Sequence, residues 1–394
     1  MKVGIIGAGL AGLACGAYLQ KNGVHDITIF ESNEQVGGKL RTDLVGNYQL
    51  DRGFQVLLPA YPETKALLDY SKLQLQFFKK GSLIYKNNTI IPFFDPENGL
   101  VALFKTVISG PGSFRDKLKL LKLKNTLSNL TVDEIFSNQK SMSSYTYLKQ
   151  FGFSNKIIEE FWIPFYQGVF LENDLATDFK MLQFTFKMFS EKGAAVPKLG
   201  MQAIPNQLAK TIGFDKIKLN TNVLHFDNKS ITIANGKVEL FDIVVLACNL
   251  NQNIAYNSVT NLYFEVDKLP IDAKHVILNA NQNRVVNNVV LLSNVASSYS
   301  KSGKHLISVS ANGIHNELEH ITKDLKQMFG NQVDTWQLLK TYTIKEALPC
   351  VDFAKKHQII NKKGVYCSGD FLIQGSINGA IQSGRLVAEQ ILKS

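Results

Sequence analysis

The first thirty-one residues constrain the fold more than any other stretch of the chain. Residues 3–6 are apolar and short enough for a buried strand, and residues 10–22 carry apolar side chains at helical spacing. Between them stand Gly7, Gly9 and Gly12, with the spacing G-x-G-x-x-G. This pattern predicts a strand, a tight turn and a helix, the usual opening of a parallel α/β sheet.

Each of these glycines has a separate physical reason. Gly7 makes the turn, Gly9 lets the backbone approach a pyrophosphate, and Gly12 lets the helix pack closely on the strand. The helix then directs its first N–H groups, at Leu10 and Ala11, towards the phosphates, where the helix dipole places about half a positive charge. The segment therefore predicts a dinucleotide-binding site.

An acidic residue follows the second predicted strand. The stretch DITIFE ends at Glu31, nineteen residues after Gly12, with Ser32 beside it. A carboxylate at that distance can accept hydrogen bonds from a ribose diol. These residues by themselves leave both NAD and FAD open.

The next motif, GGKLRT at 37–42, resembles the N-terminal FAD signature of the superfamily of flavin-containing amine oxidases, protoporphyrinogen oxidases and phytoene desaturases. The resemblance implies non-covalently bound FAD, with Gly38, Lys39, Leu40 and Arg41 at the cofactor. It places the basic Lys39 on the pyrophosphate side of FAD, with Arg41 as a second candidate. The alternative is a Gly-Gly turn followed by two solvated cations.

Two further blocks extend the resemblance. Residues 48–63 resemble the segment that runs towards the flavin ring, which implies that Gly53 and Gln55 lie near the ring. Residues 221–249 resemble a pair of strands. The resemblance implies that the first strand contacts adenine through Val223 and that the second returns to the FAD-binding sheet.

The C-terminal segment is unusually rich in small residues, and one acid is the only charge in residues 367–384. The resemblance implies that this acid binds the ribityl chain of FAD and that a following helix directs its N-terminus at the pyrimidine end of the flavin. Backbone N–H groups there would stabilise negative charge on a reduced ring. The implied contacts are Gly369, Asp370, Ser376, Ile377 and Ala380. An ordinary loop and helix N-terminus is the alternative.

We therefore expect an α/β protein with a Rossmann-like FAD-binding domain of the glutathione-reductase type, amine-oxidase-like, and an inserted mixed α+β substrate domain. The predicted FAD-binding domain is discontinuous and comprises residues 1–75, 195–250 and 335–394. The predicted substrate-binding domain comprises residues 76–194 and 251–334.

The formal net charge of +10 suits an anionic partner. The lysines are nevertheless spread along the chain, as in a general composition bias, and we expect no nucleic-acid partner. The run SFRDKLKLLKLK at 113–124 suggests a membrane surface, but its leucines do not gather on one helical face. We therefore expect a cytoplasmic location, and peripheral contact with a membrane stays open.

The four cysteines are far apart and form no C-x-x-C pair, and the seven histidines are scattered. This distribution predicts reduced, mostly buried thiols and no metal site.

The resemblance also implies hydride transfer from a C–H bond of the substrate to flavin N5, with oxygen or a quinone as the electron acceptor. The candidate catalytic residues are Lys345, Tyr342 and Gln55. The aromatic residues of 161–170 could line a tunnel for a hydrophobic small molecule or simply form core.

The choice of substrate rests on one departure from the amine oxidases. Where those enzymes place two aromatic side chains beside the flavin, this chain has Ile373 and Ser376. An aliphatic or polyene substrate of a desaturase or oxidase is therefore favoured. Three alternatives stay open: an amine oxidase, which would release peroxide from amines; a reductase or saturase, which NAD(P)H would reduce; and a non-catalytic FAD-binding protein.

Overall fold

The computed structural model describes residues 1–94, 110–249, 254–353 and 364–394. Its strands, numbered along the chain, are β1 Val3–Ile6, β2 Ile27–Phe30, β3 Thr42–Val45, β4 Tyr48–Asp51, β5 Gln76–Phe77, β6 Gly81–Lys86, β7 Thr89–Phe94, β8 Ala195–Val196, β9 Ile217–Lys218, β10 Val223–Phe226, β11 Ser230–Ile233, β12 Val238–Leu240, β13 Ile243–Leu246, β14 Tyr256–Val266, β15 Val276–Asn279, β16 Val286–Leu291, β17 His305–Asn312, β18 Gln337–Pro349 and β19 Tyr366–Cys367. Its α-helices are α1 Leu10–Lys21, α2 Pro62–Leu67, α3 Tyr70–Leu73, α4 Phe114–Ser128, α5 Val132–Phe136, α6 Ser144–Phe151, α7 Asn155–Ile157, α8 Ile163–Phe170, α9 Phe179–Lys192, α10 Ala203–Ile212, α11 Leu292–Val295, α12 Glu319–Phe329, α13 Asp370–Ile373 and α14 Ile377–Ile391. A π-helical turn, Ile158–Trp162, joins α7 to α8, and three 3₁₀ turns cover Phe214–Lys216, Ser297–Tyr299 and Gly330–Thr335.

A five-stranded parallel sheet in the order β19-β13-β1-β2-β9 carries the predicted dinucleotide motif. Because all five strands run in the same direction, their carboxyl ends meet at one edge. Gly7, Glu31, Ala247 and Ser368 directly follow four of these strands. Residues from both ends of the chain are thereby brought to the same edge.

A second sheet of seven strands has the order β18-β14-β17-β16-β15-β6-β7. One face packs on α12, through side chains such as Leu262, Ile307 and Leu325. The other face meets α8, where a Cβ at Gly168 would lie 2.6 Å from Asn287 Oδ1. This sheet therefore packs between two helical layers and presents one edge, β18, to the first half of the chain.

The predicted domain boundaries stay a prediction. The strand pairing is relevant to one of them, the boundary at residue 335. Strand β18 pairs with β14 in the seven-stranded sheet, although 335–394 was assigned to the FAD-binding domain. The remainder of that segment contributes β19 to the parallel sheet.

The aromatic side chains of 161–170 form core. Trp162, Tyr166 and Phe170 are fully buried, and their rings contact one another at centroid distances of 5.8 and 4.9 Å. Phe161 lies 4.4 Å from Phe93, measured between ring centroids. Aromatic contacts of this kind fix a dense interior. Of the two predicted roles for this segment, the structure supports packing.

Cys15 and Cys367 are buried, Cys248 is partly buried and Cys350 is exposed. Burial raises the pKa of Cys15 to about 12, so its thiol stays protonated. Within the described ranges, no group of three His, Cys, Asp or Glu residues could hold a metal ion. No helix in that part of the chain has the length and apolarity needed to cross a membrane.

A buried carboxylate links the β3–β4 hairpin to two distant segments. Asp51 accepts hydrogen bonds from Thr42 Oγ1 at 2.5 Å, from the Met201 N–H at 2.9 Å and from the Tyr299 hydroxyl at 2.8 Å. Tyr263 of β14 donates to the Asp51 carbonyl oxygen at 2.9 Å. Burial outweighs these donors and raises the pKa of Asp51 to about 6.

This raised pKa predicts a distinct pH dependence of stability. In the folded protein Asp51 keeps its proton up to about pH 6, whereas in the unfolded chain it loses the proton near its ordinary pKa of 3.8. Its contribution to the free energy of unfolding therefore falls as pH rises through that window, by up to about 3 kcal/mol. Urea denaturation of wild type and Asp51→Asn from pH 4 to 7 should show their difference shrinking with pH; a difference that grows with pH would contradict this assignment.

Candidate cofactor site

The turn after β1 has the geometry that the glycine motif predicts. Gly7 has φ +104°, a conformation that favours glycine, and its N–H donates to the Phe30 carbonyl at 2.8 Å. A Cβ at Gly12 would lie only 2.0 Å from the Gly7 carbonyl oxygen. A Cβ at Gly9, by contrast, would meet only Gly38 Cα, at 4.0 Å, within the described residues. The protein backbone therefore occupies the space where a side chain at Gly12 would lie, whereas the space beside Gly9 is open.

The N-terminus of α1 lacks a side-chain cap. Its preceding residue is Gly9, and the first backbone bond of the helix runs from the Leu13 N–H to the Gly9 carbonyl. The N-termini of α4, α5 and α6 are capped by Ser113, Thr131 and Ser143. The first N–H groups of α1 are thus left for an external acceptor, as phosphate binding requires.

The second glycine motif packs directly on the first. The Gly37 N–H donates to the Ala8 carbonyl at 2.8 Å, and a Cβ at Gly38 would lie 3.2 Å from Gly9 Cα. Gly37 and Gly38 both have positive φ, at +123° and +59°. Leu40 is buried beneath this turn, and its N–H donates to the Gly37 carbonyl at 3.0 Å.

Glu31 lies at the end of β2 and is 6% exposed. Its Oε2 accepts from the Ala8 N–H at 2.8 Å, and its Oε1 accepts from the Asn33 N–H at 3.0 Å and from Ser32 Oγ at 3.4 Å. Asn33 Nδ2 also donates to Oε1, at 2.6 Å, so three of the four donors reach Oε1 and only the Ala8 N–H reaches Oε2. Glu31 therefore fixes the glycine turn, and its contact with a ribose stays a prediction.

The predicted adenine contact lies beside Glu31. The Thr221 N–H donates to the Glu31 carbonyl at 2.8 Å, and two residues later β10 begins at Val223. Val223 packs against a cluster of buried residues that includes Ile6 and Phe30, from β1 and β2. The backbone of this segment is thus held next to the sheet edge.

Lys39 and Asp370 come together although 331 positions separate them in the chain. Lys39 Nζ lies 3.1 Å from Asp370 Oδ2 and 4.7 Å from the ring centre of Tyr256. Burial, Asp370 and Glu346 raise the pKa of Tyr256 to about 12. Tyr256 also lines a cleft of about 430 Å³ with Asn257, Ser258, Asn312, Gly313 and residues 171–174.

Two predicted contacts carry buried polar atoms without a partner. Arg41 is 7% exposed, with one guanidinium nitrogen 3.6 Å from Glu34, and its Nε has no hydrogen-bond partner. Gln55 donates from Nε2 to the Lys39 carbonyl at 3.0 Å, and its Oε1 is unpaired. Because native proteins rarely leave buried polar atoms unpaired, both atoms are candidates to bond a cofactor.

The C-terminal segment closes the site from the other side. The Gly369 N–H donates to Ser383 Oγ at 2.9 Å, which holds the start of α13 against α14. Ser376 caps α14, since its Oγ accepts from the Gly379 N–H at 2.9 Å. Ile377 and Ala380, in the first turn of this helix, are partly exposed.

Strand β18 contacts both halves of the site. A Cβ at Gly53, which has φ +89°, would lie 2.8 Å from Ile344 Cδ1, and a Cβ at Gly375 would lie 3.0 Å from Leu348 Cδ1. The pairing of β18 with β14 shifts in register between Ile344 and Leu348, so residues 345–347 form a bulge. Such bulges redirect side chains and are common beside active sites.

The candidate catalytic residues on β18 differ in their surroundings. Lys345 lies in the bulge and is exposed. Tyr342 is buried, and its hydroxyl donates to Asp43 Oδ2 at 2.8 Å. Asp43 also accepts from Arg52, so Tyr342 belongs to a network that stabilises the β3–β4 hairpin.

Sequence reasoning missed several residues at the site. Gly37 belongs to the GGKLRT motif, which predicts no cofactor contact for it, while Tyr256, Ile344 and Leu348 belong to no motif. Their placement depends on how the seven-stranded sheet docks against the parallel one. The run of β-forming residues at 337–349 could have indicated a strand, but not which glycines it meets.

Three observations show that these residues fit a dinucleotide: the uncapped end of α1, the space at Gly9, and the unpaired Nε of Arg41. Together with the parallel sheet, they define a dinucleotide-binding α/β protein. The chain belongs to the flavin-containing amine oxidoreductases, since the sequence model of that family, described as "Flavin containing amine oxidoreductase", matches residues 10–392. The predicted membership is confirmed, and the family identifies the cofactor class as a flavin.

Characterised relatives match parts of the chain. It is 24% identical over 267 residues to protoporphyrinogen oxidase 2 of Arabidopsis thaliana, a match that covers 58% of this chain and 51% of that protein. It is 40% identical over 58 residues to a 4,4'-diapophytoene desaturase of Staphylococcus haemolyticus, covering 15% and 11% of the two chains. The chain thus spans about half the length of the first relative.

Solved structures confirm the fold. An oxidoreductase from Methanosarcina mazei superposes with a TM-score of 0.75 at 18% identity over the whole of both chains. A putrescine oxidase bound to putrescine superposes with a TM-score of 0.73 at 15% identity, covering 100% of this chain and 99% of that one. The predicted fold class, a Rossmann-like domain with an amine-oxidase-like arrangement, is therefore confirmed.

The contrast between Gly9 and Gly12 gives a matched pair of substitutions. Gly9→Ala places a methyl group in open space, so we expect an unchanged melting temperature of the FAD-free protein and much weaker FAD binding. Gly12→Ala places it against the Gly7 carbonyl, so we expect the FAD-free protein to lose stability, by a few kcal/mol. Thermal unfolding and FAD titration of both variants measure this, and equal destabilisation by the two would refute the contrast.

Glu31 and Asp370 come from the two ends of the chain and should both affect FAD retention. We expect Glu31→Ala and Asp370→Ala each to weaken the affinity for FAD by at least about tenfold, because each removes hydrogen bonds to a charged group. The FAD content of the purified protein should fall accordingly. Glu31→Gln, which retains an oxygen for the Ala8 N–H, is the control for stability. Wild-type FAD content in both alanine variants would show that the ribose and ribityl assignments are wrong.

Proposed function

We propose that the protein binds FAD non-covalently and oxidises a C–H bond of a hydrophobic small molecule, as a desaturase or oxidase does. When bound, FAD supplies the hydride acceptor for this chemistry. Oxygen or a quinone is the proposed final electron acceptor. The chain's own residues hold the cofactor and shape the apolar space beside it.

The observation that carries this proposal is the apolar contact of β18 with both halves of the site. Ile344 meets Gly53, the predicted neighbour of the flavin ring, and Leu348 meets Gly375, beside the predicted pyrimidine end. Both side chains are partly exposed, so they border accessible space. Aliphatic groups in that position favour an apolar substrate because they offer it no hydrogen bonds.

The final helix supports the same choice. Ser376 uses its hydroxyl to cap α14, and Ile373 ends α13. Neither position supplies the aromatic side chain that would be expected in an amine oxidase. Two relatives are named as a protoporphyrinogen oxidase and a 4,4'-diapophytoene desaturase, an oxidase and a desaturase. We assign this chain a reaction of one of these two types.

Hydride removal needs no dedicated acid or base, and the proton that the neighbouring carbon loses as the double bond forms passes to solvent at the accessible space beside Ile344 and Leu348. Among the candidates, Gln55 retains an unpaired Oε1 and Lys345 lies exposed in the β18 bulge, so either could orient substrate or water. Tyr342 is held in the Asp43 network, and burial together with that carboxylate raises its pKa. We therefore infer a structural role for Tyr342.

Anaerobic reduction of the bound flavin tests the proposal. The FAD-loaded protein is mixed separately with protoporphyrinogen, 4,4'-diapophytoene, putrescine and NADPH, and the flavin absorbance is followed. We expect bleaching by at least one of the two apolar donors and no bleaching by putrescine. Reduction by putrescine or NADPH alone would instead indicate an amine oxidase or a reductase.

Substitutions on β18 test the role of its apolar side chains. We expect Ile344→Ser with Leu348→Ser to retain FAD and to slow reduction by the apolar donor by about tenfold or more. Leu338→Ser is the matched control, because Leu338 is exposed on the same strand roughly 20 Å from Ile344. Equal slowing in the control and the double variant would remove the support that β18 gives to the proposal.

A further inference from the structure

Helix α4 has two apolar faces. Leu123 and Leu127 are fully buried in the main core. On the other side of the helix, Phe114, Leu118 and Leu121 are 60%, 51% and 43% exposed. The spacing i, i+4, i+7 places these three side chains in one stripe. The fold thus uses one apolar face and leaves the other in contact with solvent.

The orientation of this helix is fixed by polar contacts on its buried side. Asp116 forms a capping box with Ser113 and also accepts from the Ser154 N–H at 2.8 Å and from Ser154 Oγ at 2.7 Å. At the other end, Lys187 Nζ donates to the Ser128 carbonyl at 3.1 Å. Turning the outer stripe inward would break these contacts, so its exposure is a stable feature.

Basic residues flank the exposed stripe on both sides. At 100° per residue, the exposed Arg115 and Lys122 lie along one border and the partly exposed Lys124 lies along the other. The only acidic residue in the helix is Asp116, which is buried. An apolar centre with cationic borders matches the boundary between the acyl chains and anionic headgroups of a bilayer.

We propose that this face of α4, consisting of Phe114, Leu118 and Leu121 with its basic borders, binds the surface of an anionic lipid membrane. The three apolar side chains enter the headgroup boundary, and the basic side chains meet the lipid phosphates. The proposal goes beyond the redox function and does not require it to be correct.

The charge distribution favours a membrane over a second copy of the chain. A two-fold symmetric dimer that used this stripe as its interface would place the same surface of both subunits in contact. The basic borders of the two copies would then face one another. The net charge of +10 adds to that repulsion and to the attraction of an anionic surface.

The sequence-based conclusion about this run is confirmed in one respect. Its leucines do not gather on one face, because Leu118 and Leu121 point outward and Leu123 inward. The leucines are divided because the helix has two apolar faces. Phe114 completes the outer one.

Co-sedimentation with lipid vesicles tests the proposal. Purified wild type is mixed with vesicles of phosphatidylcholine alone and of phosphatidylcholine with phosphatidylglycerol, at low and high salt. We expect binding to the anionic vesicles that weakens with salt, and a reduction of at least about tenfold in Leu118→Ser with Leu121→Ser. These positions are exposed, so the double variant should keep the wild-type melting temperature.

A matched control separates this surface from general hydrophobicity. Leu224 and Leu240 are 55% and 69% exposed on β10 and β12, and Leu224→Ser with Leu240→Ser should bind vesicles as wild type does. No sedimentation with anionic vesicles, or an equal loss in both double variants, would overturn the proposal. So would a dimer in light scattering that only the α4 variant abolishes without any vesicle binding.

Discussion

The site depends on how closely helix α1 approaches its neighbours. Its third residue, Gly12, leaves no room for a side chain against the Gly7 carbonyl, and a Cβ at Gly384 would lie 2.4 Å from the Ala11 carbonyl. Gly12 thus sets α1 against the turn after β1, and Gly384 lets the last helix, α14, pack closely on α1. This packing brings Asp370, near the C-terminus, close enough to Lys39, near the N-terminus, to form an ion pair. A cofactor site assembled from both ends of the chain requires that arrangement.

The second sheet is attached to this frame by a few buried contacts. The Asp51 carboxylate and carbonyl receive hydrogen bonds from Tyr299 and Tyr263, both of the second half of the chain. Two residues beyond Asp51, Gly53 meets Ile344 of β18. The β3–β4 hairpin thus connects the glycine turn to the strand that borders the proposed substrate space. A substitution at Asp51 should affect the position of both.

Local motifs made much of the site predictable, and sheet docking made the rest unpredictable. The glycines after β1, Glu31 and the segment around Asp370 each follow a parallel strand, so their meeting at one edge follows from strand direction alone. Tyr256 and Leu348 reach the site through long-range pairing between β14 and β18, which no local pattern specifies. The same limit applies to residues 161–170, whose aromatic content is compatible with a tunnel or a core and whose burial identifies them as core.

We propose that this chain holds FAD without a covalent bond. The most direct measurement is an absorption spectrum of the purified protein, followed by denaturation and mass analysis of the small molecules released. A flavin spectrum with about one FAD of unmodified mass released per chain is the expected result, because the site offers a single helix N-terminus at the glycine turn. No flavin, even after incubation with FAD, or flavin that stays attached to the denatured chain, would contradict the claim.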